Sequence, residues 1–236
     1  MSNKGKLYLI PCPIAEQTTQ LVVPLSVKDE LKHIRTFLVE DLRSARRFLG
    51  SLRIYDAVED LDMHILNKDT TEAEVASAFG SVAEGQDIGV ISEAGSPGVA
   101  DPGSMAVRYA HDHDIRVIPL VGPSSLILAL MASGLNGQQF AFHGYLPIDT
   151  SEAARKVKDL ERESRAKKQT QMFIEAPHRN NSIFKVLLQS LSPTTLLSIA
   201  VDLTGKDEFV KTRTVAAWSD ERLQWPKFPA VFLFLA

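Results

Sequence analysis

The sequence predicts an α/β protein, and three observations carry this prediction. Short runs of β-branched and aliphatic residues alternate with segments whose apolar residues have helical spacing. Loops rich in glycine and proline follow several of the strand-like runs. The chain has 236 residues, enough for one large domain or two domains of ordinary size. Such an alternation is typical of a parallel sheet covered by helices, with ligands bound beyond the carboxyl ends of the strands.

The first half of the chain is predicted to contain five strands, at residues 6–10, 33–39, 63–66, 87–91 and 115–120. Helices are expected between them, with Asp41 as the N-cap of the helix that runs to Leu52. A hydroxyl followed by an acid at residues 70–74 marks the start of a helix that extends to Gly85. Asp101 is expected to cap a helix whose first residue is Pro102. The order predicts a parallel sheet with right-handed crossovers.

The second half of the chain is also predicted to contain both helices and strands. An apolar helix is predicted at residues 126–132 and a highly charged one at residues 151–169. Strands are predicted at residues 140–147, 171–174, 195–201 and 229–235, with a short extended segment at 212–215.

Composition limits the class of protein. Apolar residues make up 44% of the chain and charged residues 23%, which is typical of a soluble globular protein. The formal net charge of −3 gives no overall attraction to nucleic acid, so an RNA contact requires a local basic patch. The single cysteine, Cys12, excludes an internal disulfide and a cysteine-rich zinc site and suits a reducing compartment. The N-terminus lacks the apolar core of a signal peptide, and the longest apolar runs are too short to span a bilayer. We therefore expect a cytoplasmic protein without a metal site.

The loop Ser92–Gly103 is the most informative stretch. Its sequence SEAGSPGVADPG contains three glycines and two prolines directly after a predicted strand. This composition forbids regular structure and allows bare backbone to approach a ligand closely. An ordinary strand-to-helix loop with a capped helix accounts for the same residues.

Other groups of polar residues follow predicted strands. Ser124 and Ser125 lie after a Gly-Pro turn at a helix N-terminus, where they either cap the helix or bind a polar ligand. Glu175, His178 and Arg179 form a second cluster. The helix after Asp41 carries arginines on its polar face, which is a solvated surface unless it binds a phosphate. The sequence lacks the glycine-rich dinucleotide and Walker motifs, His-Glu-x-x-His and Gly-x-Ser-x-Gly.

Five segments occur in register along nearly the whole chain: residues 7–14, 40–43, 92–103, 122–124 and 175–179. Together they resemble the tetrapyrrole methylase superfamily. Within it they are most similar to the branch that methylates a cytidine ribose 2′-oxygen in small-subunit ribosomal RNA.

The resemblance implies two α/β domains, residues 1–118 and 119–236, with S-adenosylmethionine in the cleft between them and a homodimer as the assembly. Matching positions assign donor contacts to Pro11, Glu93, Ala94, Gly95, Ser96, Pro97, Val99 and Ala100, and to Ser124 and Ser125. In the second domain they assign contacts to Ile174, Ala176, Ala200, Val201, Asp202, Leu203, Pro229 and Ala230.

The chain departs from the family pattern mainly on the substrate side. Ala15 and Glu16 replace a Gly-Asn pair that follows the first strand in the family. The family's Glu-Leu-Thr-Lys becomes residues 202–205, DLTG, with Lys206 displaced by one position. Residues 228–230, FPA, replace a closing Lys-Gly-Glu.

Methyl transfer to a ribose hydroxyl requires donor and acceptor in line and a base that removes the hydroxyl proton. The candidates for this base are Glu40, Asp41, Glu175, His178 and Asp202. Arg43 and Arg179 are candidates to position a phosphate, and Lys206 is a further candidate at the substrate end. Each of these residues has an alternative role as a helix cap or an ion-pair partner.

The first interpretation is therefore an S-adenosylmethionine-dependent methyltransferase acting on ribosomal RNA. Two alternatives stay open. One is methylation of a small molecule such as a tetrapyrrole, and the other is a non-catalytic protein that binds S-adenosylmethionine.

Overall fold

The computed structural model describes residues 4–219 and 228–236. The chain divides into two compact units, Met1–Ser124 and Ser125–Ala236. The boundary expected between residues 118 and 119 falls six residues before this division.

The first unit contains a five-stranded sheet in which all strands are parallel, in the order β3-β2-β4-β1-β5. The strands are β1 (Lys6–Ile10), β2 (Thr36–Val39), β3 (Asp62–Ile65), β4 (Ile88–Ile91) and β5 (Arg116–Pro119). The predicted parallel sheet is confirmed for this unit. β2 starts later than expected because Ile34 N–H donates to the Leu31 carbonyl in a turn.

Within the described part of this unit, residues 4–124, five α-helices accompany the sheet: α1 (Thr19–Val22), α2 (Leu25–Leu31), α3 (Leu42–Leu52), α4 (Glu72–Ala78) and α5 (Gly103–Asp112). The predicted cap of α3 is confirmed, since the Asp41 carboxylate accepts from Ser44 N–H at 2.7 Å. Thr71 and Glu74 form a capping box at the start of α4.

Two helix boundaries differ from the prediction. α4 ends at Ala78, and a short 3₁₀ helix at Gly80–Glu84 replaces its expected last turn. Glycine has a low helix propensity, which accounts for the break at Gly80. α5 begins at Gly103 with Pro102 as its N-cap residue, one position later than expected.

The core of the first unit lies on both faces of the sheet. β2 directs Phe37 and Val39 into a cluster with Leu49 of α3, and Leu38 into a second cluster with Val75 of α4. Strands buried on both faces are typical of a parallel sheet covered by helices. The loops that leave the carboxyl ends of β1, β2, β4 and β5 therefore meet at one edge of the sheet.

The second unit contains a mixed sheet in the order β6-β7-β10-β8-β9. Its strands are β6 (Phe140–Tyr145), β7 (Thr170–Glu175), β8 (Leu196–Val201), β9 (Phe209–Thr214) and β10 (Ala230–Leu235). Among the strands that the structure describes, β6 and β7 pair in parallel and the other three pairs are antiparallel. The parallel arrangement of the first unit does not extend to this sheet.

The described residues of the second unit form the helices α6 (Ser125–Ser133), α7 (Thr150–Lys167), α8 (Asn180–Ser190) and α9 (Val215–Ser219). α8 and α9 were not predicted from the sequence. α8 buries Ile183, Phe184 and Leu187, a helical spacing that the sequence contains. α9 is too short to show a period, and a hydrogen bond from Trp218 Nε1 to the Leu197 carbonyl (2.8 Å) anchors it.

Within residues 4–219 and 228–236, no helix has both the length and the apolar character needed to cross a membrane.

Candidate functional site

The loops that follow β1 and β4 are joined through their backbones. Cys12 N–H donates to the Gly95 carbonyl at 2.8 Å, and Gly95 N–H donates to the Cys12 carbonyl at 3.1 Å. Gly95 has a φ of +74°, a conformation that side-chain-bearing residues rarely adopt. Burial raises the pKa of the Cys12 thiol, so this group stays protonated and is not a nucleophile.

The loop after β5 contacts the loops that follow β1 and β4. Ser96 Oγ donates to the Pro123 carbonyl at 3.2 Å. Gly122 lies so close to the ring of Pro11 that a Cβ atom at this position would overlap with it. Residues 11–12, 95–96 and 122–123 thus hold the ends of three strands together, and we call this group the loop platform.

The SEAGSPG loop offers some residues to solvent and buries others. Glu93, Ala94 and Val99 are exposed, as is Ala100, which has a φ of +63°. Pro97 and Gly95 are buried, and Ser124 and Ser125 are half-buried. The first-unit residues that the resemblance assigned to the donor therefore lie on or beside the loop platform.

Asp101 organises the far end of this loop. Its Oδ1 atom accepts from Gly98 N–H at 2.8 Å and from Gly103 N–H at 2.7 Å. Its Oδ2 atom is buried without a hydrogen-bond partner among the described residues. Asp101 therefore binds the first residue of α5, as predicted, and also binds Gly98 within the loop.

Glu40 lies at the end of β2, beside the loop platform. Its Oε2 atom accepts from Glu93 N–H at 3.3 Å. Partial burial raises the pKa of the Glu40 carboxyl, and the hydrogen bond from Glu93 offsets part of this effect. The neighbouring carboxylates of Glu93 and Asp101 raise the pKa further.

Asp41 and Arg43 differ from Glu40 although they are adjacent in sequence. Both are exposed, and hydrogen bonds from Ser44 lower the pKa of the Asp41 carboxyl. Asp41 is thus a weaker base than Glu40. Arg43 belongs to the exposed face of α3.

A cavity of about 520 Å³ opens between the loop after β1, α3 and the first residues of the SEAGSPG loop. It is lined by Cys12, Pro13, Ile14, Ala15, Glu16, Gln17, Thr19, Ser44, Arg47, Phe48, Ser51, Ser92, Glu93 and Ala94. This cavity was not predicted from the sequence, although the spacing of Ser44, Phe48 and Ser51 places them on one helix face.

In the second unit, Glu175 and Arg179 form a largely buried pair. The Glu175 side chain has no exposed surface, and its Oε2 atom lies 3.5 Å from Arg179 Nη1. Arg179 also donates to the carbonyls of Leu146 (3.4 Å) and Pro147 (2.8 Å). The guanidinium is therefore engaged within the unit, whereas His178 is exposed.

The loop after β8 is tightly folded around Asp202. Asp202 and Thr204 have φ values of +48° and +67°. Asp202 Oδ2 accepts from Asp207 N–H at 2.9 Å, and Gly205 packs directly against the same carboxylate. Lys206 is exposed.

The remaining second-unit candidates lie at one edge of the sheet. Ala230, the first residue of β10, pairs with Glu175 of β7 and with Val201 of β8. Val231 pairs in turn with Ile174 and Ala200. This edge also carries Ala176, Leu203 and Pro229, which adjoin these strand ends.

No group of three or more metal-ligating side chains occurs among the described residues.

Several known proteins that share one name are similar to this chain. A ribosomal RNA small subunit methyltransferase I from Mesorhizobium japonicum is 36% identical over 214 residues, covering 91% of this chain and 69% of the relative. The Xylella fastidiosa protein of the same name is 31% identical over 218 residues, covering 92% and 75%. The Bacillus subtilis protein of that name is 28% identical over 223 residues, covering 93% and 72%. No family model matches the chain.

Solved structures share the fold at lower identity. The methyltransferase CobJ superposes with a TM-score of 0.61 at 15% identity, covering 97% of this chain and 93% of the other. Uroporphyrin-III C-methyltransferase from Thermus thermophilus gives a TM-score of 0.55 at 19% identity, covering 98% and 92%. These similarities confirm the two-domain α/β fold.

Proposed function

Because the chain belongs to the ribosomal RNA small subunit methyltransferase I family of tetrapyrrole methylases, we propose that it transfers a methyl group from S-adenosylmethionine to a ribose 2′-oxygen of small-subunit ribosomal RNA. Its activity as a methyltransferase follows from the family.

The loop platform supports the choice of donor. S-adenosylmethionine supplies an electrophilic methyl group on a sulfonium, and its methionine part is a zwitterion that backbone amides and carbonyls can bind. Ala94, Val99 and Ala100 of the SEAGSPG loop are exposed, and Gly95 of the platform has no side chain where three loops meet. A Cβ at Gly95 would lie 3.4 Å from Ile14 Cγ2 and 3.6 Å from the Pro123 carbonyl. The local structure therefore fits a ligand bound mainly through backbone groups.

The donor contacts proposed for the second unit are also compatible with its structure. They occupy the edge where β7 and β8 end and β10 begins, so they are neighbours although they are far apart in sequence. Ala200, Val201 and Ala230 are buried there, and Pro229 is exposed. Small apolar residues and backbone groups dominate this edge, as in the loop platform.

The single observation that carries the proposed mechanism is the hydrogen bond between Glu40 and Glu93 N–H. It holds a carboxylate with a raised pKa against the donor loop. In our mechanism, Glu40 accepts the 2′-hydroxyl proton of the acceptor ribose. The donor, when bound, would supply the methyl group and would leave as S-adenosylhomocysteine once its carbon–sulfur bond is broken. The raised pKa makes Glu40 a better proton acceptor than Asp41, which is committed to the cap of α3.

Other residues have supporting roles. Arg43, exposed at the start of α3, provides part of the local positive charge that RNA binding requires in a chain of net charge −3. Glu175 and Arg179 stabilise the second unit through their mutual contact. Asp202 shapes the loop that presents Lys206 to solvent, so Lys206 is assigned to RNA binding.

The first test combines binding and transfer. Calorimetry of the purified protein with S-adenosylmethionine measures donor binding, and tritiated donor with undermethylated small ribosomal subunits measures transfer. Label that digestion maps to a 2′-O-methylated nucleoside supports the proposal, and Lys206→Ala should then raise the KM for subunits. Donor binding without label in RNA would direct the search to a small-molecule acceptor. An absence of donor binding would contradict the proposed donor.

We infer that the protein acts in the cytoplasm, where ribosomal subunits are assembled, and that it is a homodimer. The dimer is supported by Ile127 and Met131, two large apolar side chains exposed on α6. Light scattering after size-exclusion chromatography measures the oligomeric state, and a monomer across the working concentration range would contradict a dimer.

A further inference from the structure

We propose that the cavity beside α3 binds the target nucleotide of a single-stranded RNA segment and that Arg47 holds its phosphate. This inference rests on the proposed function and adds a location for the acceptor. It requires that the cavity adjoin the reacting groups, match a nucleotide in size and chemistry, and open toward positive charge.

The cavity adjoins the reacting groups through the SEAGSPG loop. Ser92, Glu93 and Ala94 form part of its wall, and Glu93 N–H is the group that Glu40 binds at 3.3 Å. A molecule in the cavity therefore lies against the proposed donor loop and close to the proposed base. Methyl transfer needs this proximity because the acceptor oxygen must approach both the methyl carbon and the base.

The size of the cavity suits a nucleotide. Its volume of about 520 Å³ lies within the range of roughly 300–1,000 Å³ found for small-molecule sites. An unstacked base needs apolar walls for its faces and polar groups for its edges. Ile14, Ala15 and Phe48 supply apolar wall, and the hydroxyls of Ser44 and Ser51 lie on the same side of α3.

Arg47 lies at the rim of the cavity. Its side chain is 65% exposed and its closest carboxylate contact is Glu16 Oε1, at 4.0 Å, on a side chain that is 90% exposed. An ion pair this exposed and this long contributes little to stability. A phosphate can therefore replace Glu16, and the planar guanidinium binds phosphate oxygens in a bidentate manner.

The opening continues along α3 in the direction of the C-terminus of this helix. A second cavity of about 470 Å³ shares Gln17, Thr19 and Ser51 with the first one. It is completed by Gln20, Leu52 and Arg53, the C-cap of α3. A strand that leaves the target nucleotide along this groove meets a second arginine. The shape thus favours a flexible single strand rather than an isolated small acceptor.

Glu16 adds a negative charge to the rim of the cavity. Glu16 stands where the family pattern has asparagine, so a negative charge lies beside the proposed phosphate position. We expect Glu16 to weaken phosphate binding. Glu16→Asn should accordingly lower the KM for small subunits.

The decisive experiment compares Arg47→Ala with Arg108→Ala in the full chain. Arg108 is an exposed arginine on α5 of the same unit, so its removal changes the net charge equally. With undermethylated small subunits, Arg47→Ala should raise the KM by roughly 10- to 100-fold, the effect of losing one hydrogen bond to a charged group. The slope of log affinity against log salt concentration should fall by about 0.7, the value for one phosphate contact to a single strand. Arg108→Ala should change neither quantity.

A second variant blocks the cavity itself. Ser44→Phe fills space beside α3 but retains the backbone N–H that Asp41 binds. It should abolish transfer to RNA, with donor affinity by calorimetry and thermal midpoint close to those of the wild type.

The possible outcomes distinguish a failure of the acceptor site from a failure of the proposed function. If the wild type transfers label, and Arg47→Ala and Ser44→Phe do so with unchanged KM and salt slope, the cavity is not the acceptor site. If Arg108→Ala has the same effect as Arg47→Ala, binding depends on overall charge and the specific site is wrong. If the wild type transfers no label to subunit RNA, the proposed function fails and this inference fails with it.

Discussion

Cys12 and Gly95 exchange two backbone hydrogen bonds, of 2.8 and 3.1 Å, and thereby connect the end of β1 to the loop after β4. The connection uses no side-chain chemistry. Gly95 makes both bonds with a φ of +74°, a conformation that favours glycine. Because the donor is expected to bind backbone groups of the same loop, the exchange couples the fold of the first unit to donor affinity.

Gly95→Ala should weaken donor binding more than it weakens the fold. An alanine in the left-handed region costs about 1–2 kcal/mol. The added Cβ would meet Ile14 and the Pro123 carbonyl in ordinary van der Waals contact, so the cost is mainly backbone strain. The thermal midpoint should fall by several degrees, and calorimetry with S-adenosylmethionine should show at least a tenfold loss of affinity.

Gly80→Ala is the matched control for this change. A Cβ atom at Gly80 would have open space around it, and the residue lies in a 3₁₀ helix remote from the platform in sequence. Its replacement should leave donor affinity unchanged. Equal donor affinities for Gly95→Ala and the wild type would show that the platform does not bind the donor.

Glu40→Gln should remove the acid limb of the pH–rate profile. A general base must be deprotonated, so the wild-type kcat/KM should fall as the pH falls through the pKa of Glu40. Because this pKa is raised, the fall should occur at higher pH than for an ordinary glutamate. Glutamine still offers an oxygen to Glu93 N–H, so donor affinity should persist while kcat falls by about 10²–10⁴-fold.

Glu84→Gln makes the same chemical change at an exposed position of the first unit. It should keep the wild-type rate and profile. A Glu40→Gln variant with an unchanged acid limb would assign the base to another residue.

The sequence predicted the first unit more completely than the second. In the parallel sheet, continuous apolar runs and capping residues such as Asp41 and Thr71 are local signals, and each formed the element expected. The second sheet is antiparallel around β10, whose partners β7 and β8 are distant in sequence. Pairing partners of this kind cannot be derived from local periodicity.

The candidate site was likewise predicted only in part from the sequence. Motif order identified Gly95 and Ser96, but the exchange with Cys12 and the bond to Pro123 depend on how the loops meet. Arg179 resembled a phosphate-binding residue in sequence, whereas in the structure it is turned toward Glu175. Residue type and spacing thus indicate which chemistry is available, and the tertiary contacts determine whether a charged group is already engaged.

Arg179→Ala should act on stability. The change would leave the fully buried Glu175 side chain facing no cation at this position and would remove two hydrogen bonds to the carbonyls of Leu146 and Pro147. Breaking a buried pair in this way costs about 3–5 kcal/mol, which urea denaturation can measure.

Arg155→Ala, an exposed arginine on α7 of the same unit, should change the free energy of unfolding by less than about 0.5 kcal/mol. For Arg179→Ala, the salt dependence of RNA binding should equal that of the wild type under conditions where the protein is folded. A reduced salt slope with wild-type stability would instead assign Arg179 to a phosphate.

Gly205→Ala should disrupt the loop after β8, because a Cβ atom at this position would collide with the carboxylate of Asp202. The carboxylate cannot turn away without losing its hydrogen bond from Asp207 N–H. We therefore expect a lower thermal midpoint and a higher KM for small subunits, since the loop carries Lys206. The double variant Asp202→Gly with Gly205→Ala tests the cause: it removes the colliding carboxylate and relieves the φ of +48° at Asp202. Its midpoint should lie above that of Gly205→Ala alone. If the double variant is no more stable than the single one, the collision with Asp202 is not the reason that glycine occupies position 205.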